Sequence, residues 1–374
     1  MAKPPLDGIR VVEFAGIGPG PFAGMMLADH GAEVIRIERG KPGGLALGTD
    51  PKDPLLRSRT SIALDLKNPH AIAAVRRIVA SADAIIEGFR PGVMERLGLG
   101  PDVLIGDNPR LVYGRMTGWG QTGPMAPEPG HDINYIALSG VLHALGRAGE
   151  KPTPPINLAG DFGGGAMFLA FGMLAALLNA QRTGGGQVVD AAMTEGSSLL
   201  MSMMWGFRAM GRWSDERGTN LLDTAAHFYD TYETSDGRYV SLGAIEPQFY
   251  AEFRRVVGLD DPKWDRQMDP RGWPALKAEL TTLFLSRTRD EWVALFAGHD
   301  ICFAPVLGFD EAAAHPHNVA RHAFVTAGGV QQPAPAPHYS VSDTVSPRMA
   351  EMRDDAAALR HLGFDEAEIA ALGF

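Results

Sequence analysis

Two side chains that can exchange protons, His131 and Asp161, each lie in a short segment rich in glycine and polar residues. His131 belongs to Gly-His-Asp-Ile-Asn-Tyr at 130–135, and Asp161 belongs to Gly-Asp-Phe-Gly-Gly-Gly at 160–165. The unperturbed pKa of histidine lies nearest neutrality, and carboxyl groups also serve as general acids and bases. A base and an acid on opposite sides of one carbon could remove a proton from that carbon and return one.

The segment after Asp161 predicts a buried helix. Residues 166–178 carry no charge, and Arg182 and the glycines at 184–186 indicate the helix end. The uncharged run is shorter than the ~20 residues that span a bilayer. We expect Asp161 in the N-cap region, where free N–H groups stabilise a carboxylate, and an ordinary N-cap is the alternative interpretation. The glycines at 163–165 favour a ligand at this helix start, since each lowers helix stability by roughly 1 kcal/mol relative to alanine.

A carboxylate that fixes the tautomer of His131 would strengthen its assignment as a catalytic base. The chain has 11 histidines, and a histidine in a turn is more often structural than catalytic. Glu246, in Gly-Ala-Ile-Glu-Pro-Gln at 243–248, directly follows an apolar strand and is the candidate partner. The sequence alone does not bring Glu246 beside His131.

The elements that must position these residues alternate between strands and helices from residue 9 to about 200. This alternation predicts an α/β fold with a Rossmann-like parallel sheet. The predicted strands include 8–14, 32–37, 84–86 and 187–192. A methionine-rich helix is expected at 197–210; its Met201, Met203 and Met204 are interpreted as core residues, with a flexible acyl-chain lining as the alternative.

A second, smaller α+β domain is predicted after the sheet. The segments 230–234 and 239–242, joined by a turn at Asp236-Gly237, indicate a hairpin that opens it. The predicted boundaries are a large domain at 1–200, a linker at 201–220, a small domain at 221–329, and a connector and helical tail at 330–374 that return to the large domain.

The N-terminal segment offers a competing interpretation as a dinucleotide site. Gly18-x-Gly20-x-x-Ala23 lies between the first two predicted strands, as in the looser dinucleotide fingerprint. Pro19 and Pro21, however, remove N–H donors that a pyrophosphate would need. We therefore expect the βαβ architecture without a nicotinamide cofactor.

Composition excludes several classes of protein. A chain of 374 residues exceeds a typical single core, and its net charge of −10 argues against general binding to nucleic acid or to an anionic membrane. The single cysteine, Cys302, excludes an internal disulfide framework, and no metal cluster is predicted. No signal peptide or peroxisomal tripeptide is visible, so a cytoplasmic location is expected.

Four segments together resemble the α-methylacyl-CoA racemases of the family III CoA-transferase superfamily: 16–21, 130–135, 160–165 and 243–248. The resemblance extends from about residue 6 to about residue 325. It implies a 1,1-proton transfer on the α-carbon of a 2-methylacyl-CoA without metal or cofactor, because coenzyme A is part of the substrate. His131 and Asp161 would be the two bases, and Glu246 would orient His131.

The same resemblance implies further site residues and an assembly. A backbone N–H near Asp132 would stabilise the enolate oxygen. The large domain would bind coenzyme A, and the expected contacts are Arg39, Leu64, Leu66, Lys67, Gly88, Arg90, Arg96 and Tyr135. Arg90 ends a predicted strand and Arg96 lies about two turns into the next helix, so both can point to the carboxyl edge of the sheet. An interlocked homodimer is implied, in which Glu246 completes a site built largely from the other subunit's large domain.

Two other functions compete with the racemase. In a CoA transferase of the same superfamily, Asp161 would act as a nucleophile and form an aspartyl thioester. A basic His131 favours proton transfer, since by resemblance the transferases carry a non-basic residue at that place. The second alternative is a non-catalytic CoA-binding protein. A bile-acid intermediate, a pristanoyl-like chain or a small 2-methylacyl group all fit as the acyl group, and each belongs to fatty acid and lipid metabolism.

Overall fold

A computed structural model describes residues 2–39, 50–350 and 353–374. Within these ranges the strands are β1 (Arg10–Phe14), β2 (Glu33–Glu38), β3 (Thr60–Ala63), β4 (Ala84–Glu87), β5 (Val112–Thr117), β6 (Gln187–Ala192), β7 (Tyr229–Glu233), β8 (Tyr239–Gly243), β9 (Phe303–Pro305), β10 (Phe324–Ala327) and β11 (Val330–Pro333). The α-helices are α1 (Pro19–Asp29), α2 (Pro69–Ala80), α3 (Val93–Arg96), α4 (Pro101–Asp107), α5 (Asp132–Leu138), α6 (Val141–Ala144), α7 (Met167–Thr183), α8 (Met193–Leu200), α9 (Ser202–Ala209), α10 (Pro247–Val257), α11 (Trp273–Phe284), α12 (Arg289–Phe296), α13 (Phe309–Ala314), α14 (Pro316–Ala320), α15 (Asp355–His361) and α16 (Glu366–Leu372). A π-helical segment, Leu158–Ala166, runs directly into α7.

The first six strands form one parallel sheet in the order β3-β2-β1-β4-β5-β6. This is the strand order of doubly wound dinucleotide-binding folds. The order reverses between β1 and β4, whose carboxyl ends therefore border a crevice that helices do not cover. The predicted Rossmann-like parallel sheet is confirmed.

Both faces of this sheet are buried, so neighbouring residues within a strand, such as Val11 and Val12, are both apolar. Side chains alternate across the sheet, so Val12 joins an apolar cluster under α2 and α15, whereas Val11 joins a second cluster under α1 and α7. The core that holds the carboxyl edge in place is thus built on both sides.

The chain divides into two compact units at boundaries that differ from the predicted ones. The large unit comprises 1–139, 156–200 and 316–374, and the small unit comprises 140–155 and 201–315. Residues 140–155 belong to the small unit because Arg217 donates to the Glu150 carbonyl at 2.8 Å and Arg147 pairs with Asp230 at 3.2 Å. The predicted linker at 201–220 is therefore part of the small unit.

The C-terminal boundary also lies earlier than expected. The hairpin β10–β11 belongs to the large unit, where Arg57 donates to the Gln332 side chain at 2.8 Å and to the Pro333 carbonyl at 2.8 Å. The segment at 330–348 therefore begins with the strand β11.

The small unit is an α+β structure. An antiparallel sheet of order β7-β8-β9 contains the predicted hairpin, with Tyr229 opposite Gly243. Its core is aromatic and includes Trp264, Trp292, Phe253 and Phe284, which are almost fully buried.

The predicted methionine-rich helix is broken. It forms two helices, α8 and α9, with a break at Met201, and α9 contains no buried residue. Met203 is 50% exposed, and neither Met201 nor Met204 is buried. Their assignment to the core was wrong.

The apolar helix is longer than the sequence suggested. The π-helical segment and α7 together make a helix from Leu158 to Thr183, 26 residues, which is long and apolar enough to span a membrane by length and composition. The prediction of an apolar segment too short to span a bilayer was therefore wrong for the helix as a whole. A core helix of an α/β protein can share these properties, and the buried face of α7 packs on β5 and β6.

Candidate active site

A cavity of about 900 Å³ opens at the carboxyl ends of β1, β2, β4 and β5 in the large unit. This is the crevice that the reversal of strand order creates. The described residues that line it include Gly16, Ile17, Arg39, Gly88, Arg90, Gly118, His131, Tyr135, Asp161 and Arg353. The cavity thus brings together the two predicted bases and part of the predicted CoA site.

The turn that carries His131 is held by the ring of Tyr135. The Tyr135 hydroxyl donates to the Gly130 carbonyl, and Trp119 packs edge-on against the ring at 4.8 Å. A Cβ on Gly118 would lie 1.9 Å from the ring, so the absence of a side chain there lets Tyr135 approach. His131 itself is exposed, precedes α5, and donates its backbone N–H to the Asn134 side chain at 3.1 Å.

Asp132 links the His131 turn to Asp161. Its carboxylate is buried, and its Oδ1 accepts the backbone N–H of Asp161 at 2.7 Å. Its Oδ2 is also buried and has no hydrogen-bond partner in the described part of the chain. As the first residue of α5, Asp132 has a backbone N–H without an intrahelical acceptor, which is the donor predicted for the enolate oxygen.

Asp161 was predicted in the N-cap region, but it lies inside the π-helical segment, whose N-cap residue is Asn157. Burial raises the pKa of its carboxyl, and the negative charge of Asp132 raises it further. The Asn157 amide, which donates to Asp161 Oδ2 at 3.2 Å, and the nearby His131 oppose this shift in the pKa. A carboxyl with a raised pKa is better matched to general acid–base work near neutral pH.

The glycines beside Asp161 serve close packing between protein elements. A Cβ on Gly160 would lie 2.2 Å from Asp132 Oδ1, and one on Gly164 would lie 2.4 Å from Ser197 Oγ. Gly18 is equally constrained, since its Cβ would lie 2.7 Å from Asp161 Oδ2. The glycines at 163–165 were therefore the wrong reason to expect a ligand, although Asp161 does line the cavity.

The loop between β1 and α1, which forms one cavity wall, is supported from behind by buried charges. Arg59 donates to the Pro21 carbonyl and lies 2.8 Å from Glu13 Oε2. Arg36, which also lines the cavity, pairs with Glu13 from the other side. This support fixes the wall that carries Gly18.

The predicted CoA contacts fall into two groups. Arg39, Gly88, Arg90 and Tyr135 line the cavity, whereas Leu64, Leu66, Lys67 and Arg96 are not among the described residues that line it. Leu64 is buried in the core under α2, Lys67 is exposed, and Leu66 is partly buried. Arg96 lies only one turn into its helix, because α3 has four residues and not the two turns expected.

Glu246 belongs to the small unit. It directly precedes α10, its side chain is exposed, and the strand end before it is fixed by the Gln267 amide, which donates to the carbonyls of Ala244 and Ile245 at 2.9 Å each. Its role as the partner of His131 stays a prediction.

Asn157 and Arg353 are among the site residues that the sequence did not predict. Asn157 precedes Asp161 by four residues, and side chains at this spacing are neighbours on a helix. A predicted helix start at 158 would therefore have indicated the contact. Arg353 lies in the C-terminal tail, and no local pattern connects it to a strand edge. Within the described ranges, no group of three or more His, Cys, Asp or Glu side chains could hold a metal ion.

Known proteins resemble this chain over most of its length. The profile described as CoA-transferase family III matches residues 6–353. An α-methylacyl-CoA racemase of Mus musculus is 46% identical, with 98% of this chain and 96% of the relative covered, and one of Homo sapiens is 45% identical, with 89% and 86% covered. A crystal structure of a CAIB/BAIF family protein from Brucella suis has a TM-score of 0.82 at 26% identity and covers 96% of this chain and 99% of its own.

Proposed function

This chain belongs to CoA-transferase family III, and we propose that it interconverts the 2R and 2S forms of 2-methylacyl-CoA thioesters. The observation that carries the proposal is the pair His131 and Asp161 on one cavity, with the pKa of Asp161 raised by burial. The high identity to proteins named α-methylacyl-CoA racemase supports the same activity.

The proposed reaction is a two-base proton transfer. One base takes the α-proton, and the electrons of the C–H bond form the C=C bond of an enolate while the carbonyl oxygen takes the negative charge. The protonated second group then donates a proton to the opposite face of the α-carbon. The backbone N–H of Asp132 would stabilise the enolate oxygen, which is the usual way that protein sites make a thioester α-proton removable.

In this scheme each base serves one enantiomer. On the resemblance alone, we assign His131 to the 2S substrate and Asp161 to the 2R substrate, with Glu246 orienting the imidazole. Coenzyme A would enter as part of the substrate and contact Arg39, Gly88, Arg90 and Tyr135, which line the same cavity.

A homodimer forms part of the proposal because α7 carries an uncovered apolar stripe. Met167, Phe171, Leu174 and Leu178 follow helical spacing and are exposed, with Phe171 at 73%. The opposite face of α7, which includes Leu169 and Met173, is buried against the parallel sheet, so this helix cannot enter a bilayer without leaving its core. A second copy of the chain is therefore the occupant that we propose.

Deuterium exchange tests the proposed activity. Incubation of each enantiomer of a 2-methylacyl-CoA in D₂O should remove the α-proton signal from the ¹H NMR spectrum and yield both configurations. His131→Ala should lose exchange chiefly from one enantiomer and Asp161→Ala chiefly from the other, by roughly 10²–10⁴-fold each. The absence of exchange in the wild type would reject the racemase.

The family III CoA transferase is the alternative that uses Asp161 differently. Its aspartyl thioester would react with hydroxylamine or borohydride and leave a mass shift on the peptide that contains Asp161. We expect that peptide to stay unmodified after incubation with acyl-CoA. A shift there would move the assignment to the transferase.

A further inference from the structure

Three arginines from separate parts of the large unit line the cavity. Arg39 follows β2, Arg90 follows β4, and Arg353 comes from the C-terminal segment that precedes α15. Arg39 and Arg90 are exposed and form no ion pair with the described residues. An anionic ligand in this cavity would therefore meet two charges that have no ion-pair partner in the described part of the chain.

Arg353 is paired with two carboxylates through Nη1 and Nε. Its Nη1 lies 3.1 Å from Glu38 Oε2 and its Nε lies 2.8 Å from Asp355 Oδ1, while its side chain remains 33% exposed. Glu38 is shared, because Arg36 Nε contacts it at 3.0 Å. A guanidinium has five N–H donors, so Arg353 retains donors for a further acceptor.

The segment that carries Arg353 is fastened to the sheet. Asp355 Oδ1 accepts the backbone N–H of Ala63, the last residue of the edge strand β3, at 2.8 Å. Leu359, one turn further on, is fully buried in the core under that side of the sheet. Arg353 is thus presented to the cavity by a fixed element and not by a loose terminus.

We propose, on the premise of the proposed function, that Arg353 binds a phosphate of the 3′-phospho-ADP half of coenzyme A together with Arg39 and Arg90. Arginine suits this task because its planar fork of donors matches phosphate oxygens. The carboxyl edge at a reversal of strand order is also where open α/β sheets bind nucleotides. The C-terminal tail is then part of the CoA site.

Calorimetric binding of coenzyme A tests this proposal without any proton transfer. Arg353→Gln should raise the Kd for coenzyme A about 10-fold or more, the usual loss for a hydrogen bond to a charged group. The Kd for an S-acyl pantetheine, which lacks the 3′-phospho-ADP half, should stay unchanged. Arg353→Lys should lie between Arg353→Gln and the wild type, because it keeps the charge and loses the fork.

Arg360→Gln is the matched control. Arg360 lies on α15, pairs with Glu366 at 2.6 Å, and is not among the described residues that line the cavity. This control should leave both dissociation constants unchanged. An unchanged Kd for coenzyme A in Arg353→Gln, or an equal loss of pantetheine binding, would overturn the proposal. Failure of the racemase activity alone would leave the binding result standing.

Discussion

Two neighbours shift the pKa of the Asp161 carboxyl in opposite directions, one through its charge and the other through a hydrogen bond. Asp132 contributes a negative charge, which raises the pKa of Asp161, and it also accepts the Asp161 backbone N–H at 2.7 Å. Asn157 contributes a donor at 3.2 Å, which stabilises the ionised carboxylate. Charge and position can therefore be separated by substitution.

Asp132→Asn should keep an acceptor for the Asp161 N–H and remove the negative charge. The pKa of Asp161 should then fall, so the limb of the pH–rate profile on which Asp161 must be deprotonated should move to lower pH. The measurement is the pH dependence of kcat/KM for each enantiomer, with the shift expected in the direction of reaction that uses Asp161 as the base.

Asn157→Ala provides the opposite change at the same carboxyl. Removal of its donor should raise the pKa of Asp161 and move the same limb to higher pH. A shift of this limb in the same direction in both variants would contradict the opposing roles of Asp132 and Asn157. A limb that stays in place in Asp132→Asn would show that Asp132 acts through position alone.

At the scale of elements, the π-helical segment Leu158–Ala166 joins the site to the fold. Its glycines let Asp132 and the start of α8 approach the helix backbone more closely than any side chain permits. π-Helical turns are rare and recur at functional sites, since they shift the residues that follow around the helix. The packing of this segment is thus part of what places Asp161 at the cavity.

Gly164→Ala should destabilise the protein, because its Cβ would lie 2.6 Å from the Ser197 backbone nitrogen. Overpacking of this kind costs about 1–3 kcal/mol, which should lower the urea midpoint. Gly106→Ala, in α4, is the control: nothing lies within 4 Å of its Cβ, so the exchange should be neutral or raise the midpoint. Equal midpoints in the two variants would contradict the packing role.

The small unit contains a histidine, His227, whose pKa differs between the folded and the unfolded chain. His227 is fully buried, and burial lowers its pKa to about 4, with the charge of Lys277 acting in the same direction. In the unfolded chain its pKa returns to the ordinary value near 6.5. Its contribution to stability is therefore complete above about pH 6.5 and is lost as the pH falls toward about 4.

His227→Gln should remove this dependence while keeping a polar group near the Tyr250 hydroxyl, which lies 2.7 Å from His227 Nε2. The wild type should lose about 3 kcal/mol between pH 7 and pH 4 through this group, and the variant should lose correspondingly less. Urea unfolding followed by the fluorescence of buried Trp264 and Trp292 reports the difference. Parallel pH profiles for the two proteins would exclude His227 as the cause.

The parallel strands could be predicted from the sequence, but the start of the π-helical segment that carries Asp161 could not. β1, β2 and β4 each contain adjacent buried apolar residues because both faces of the sheet are covered, which leaves a strong local signal. The π-helical segment has no comparable signature, so Asp161 was expected one turn too early. The positions of Met203 and Arg353 depend on where distant segments fold back, which no local pattern records.

At the scale of the whole molecule, α7 sets the expected oligomeric state. Phe171→Glu places a charge in the centre of its exposed apolar stripe and should convert the proposed dimer to a monomer in sedimentation velocity. Racemase activity should fall with dimer content if Glu246 of one subunit completes the site of the other.

Phe309→Glu is the matched control for this change. Phe309 is 97% exposed and lies on α13 in the small unit, away from the stripe in sequence and in element. The control should sediment as the wild type does. A Phe171→Glu protein that remains dimeric would place the interface elsewhere.

The large unit takes residues from three separate stretches of the chain, and this has a consequence during synthesis on the ribosome. Leu359, Phe364 and Ile369 complete the core under α2, yet they are made after the whole small unit. At about 5–20 residues per second, the nascent sheet waits on the order of 10 s with one apolar face incomplete. Chaperones that shield nascent chains should therefore matter more for this protein than its size suggests, and a premature stop codon before Leu359 should cause aggregation rather than a small local defect.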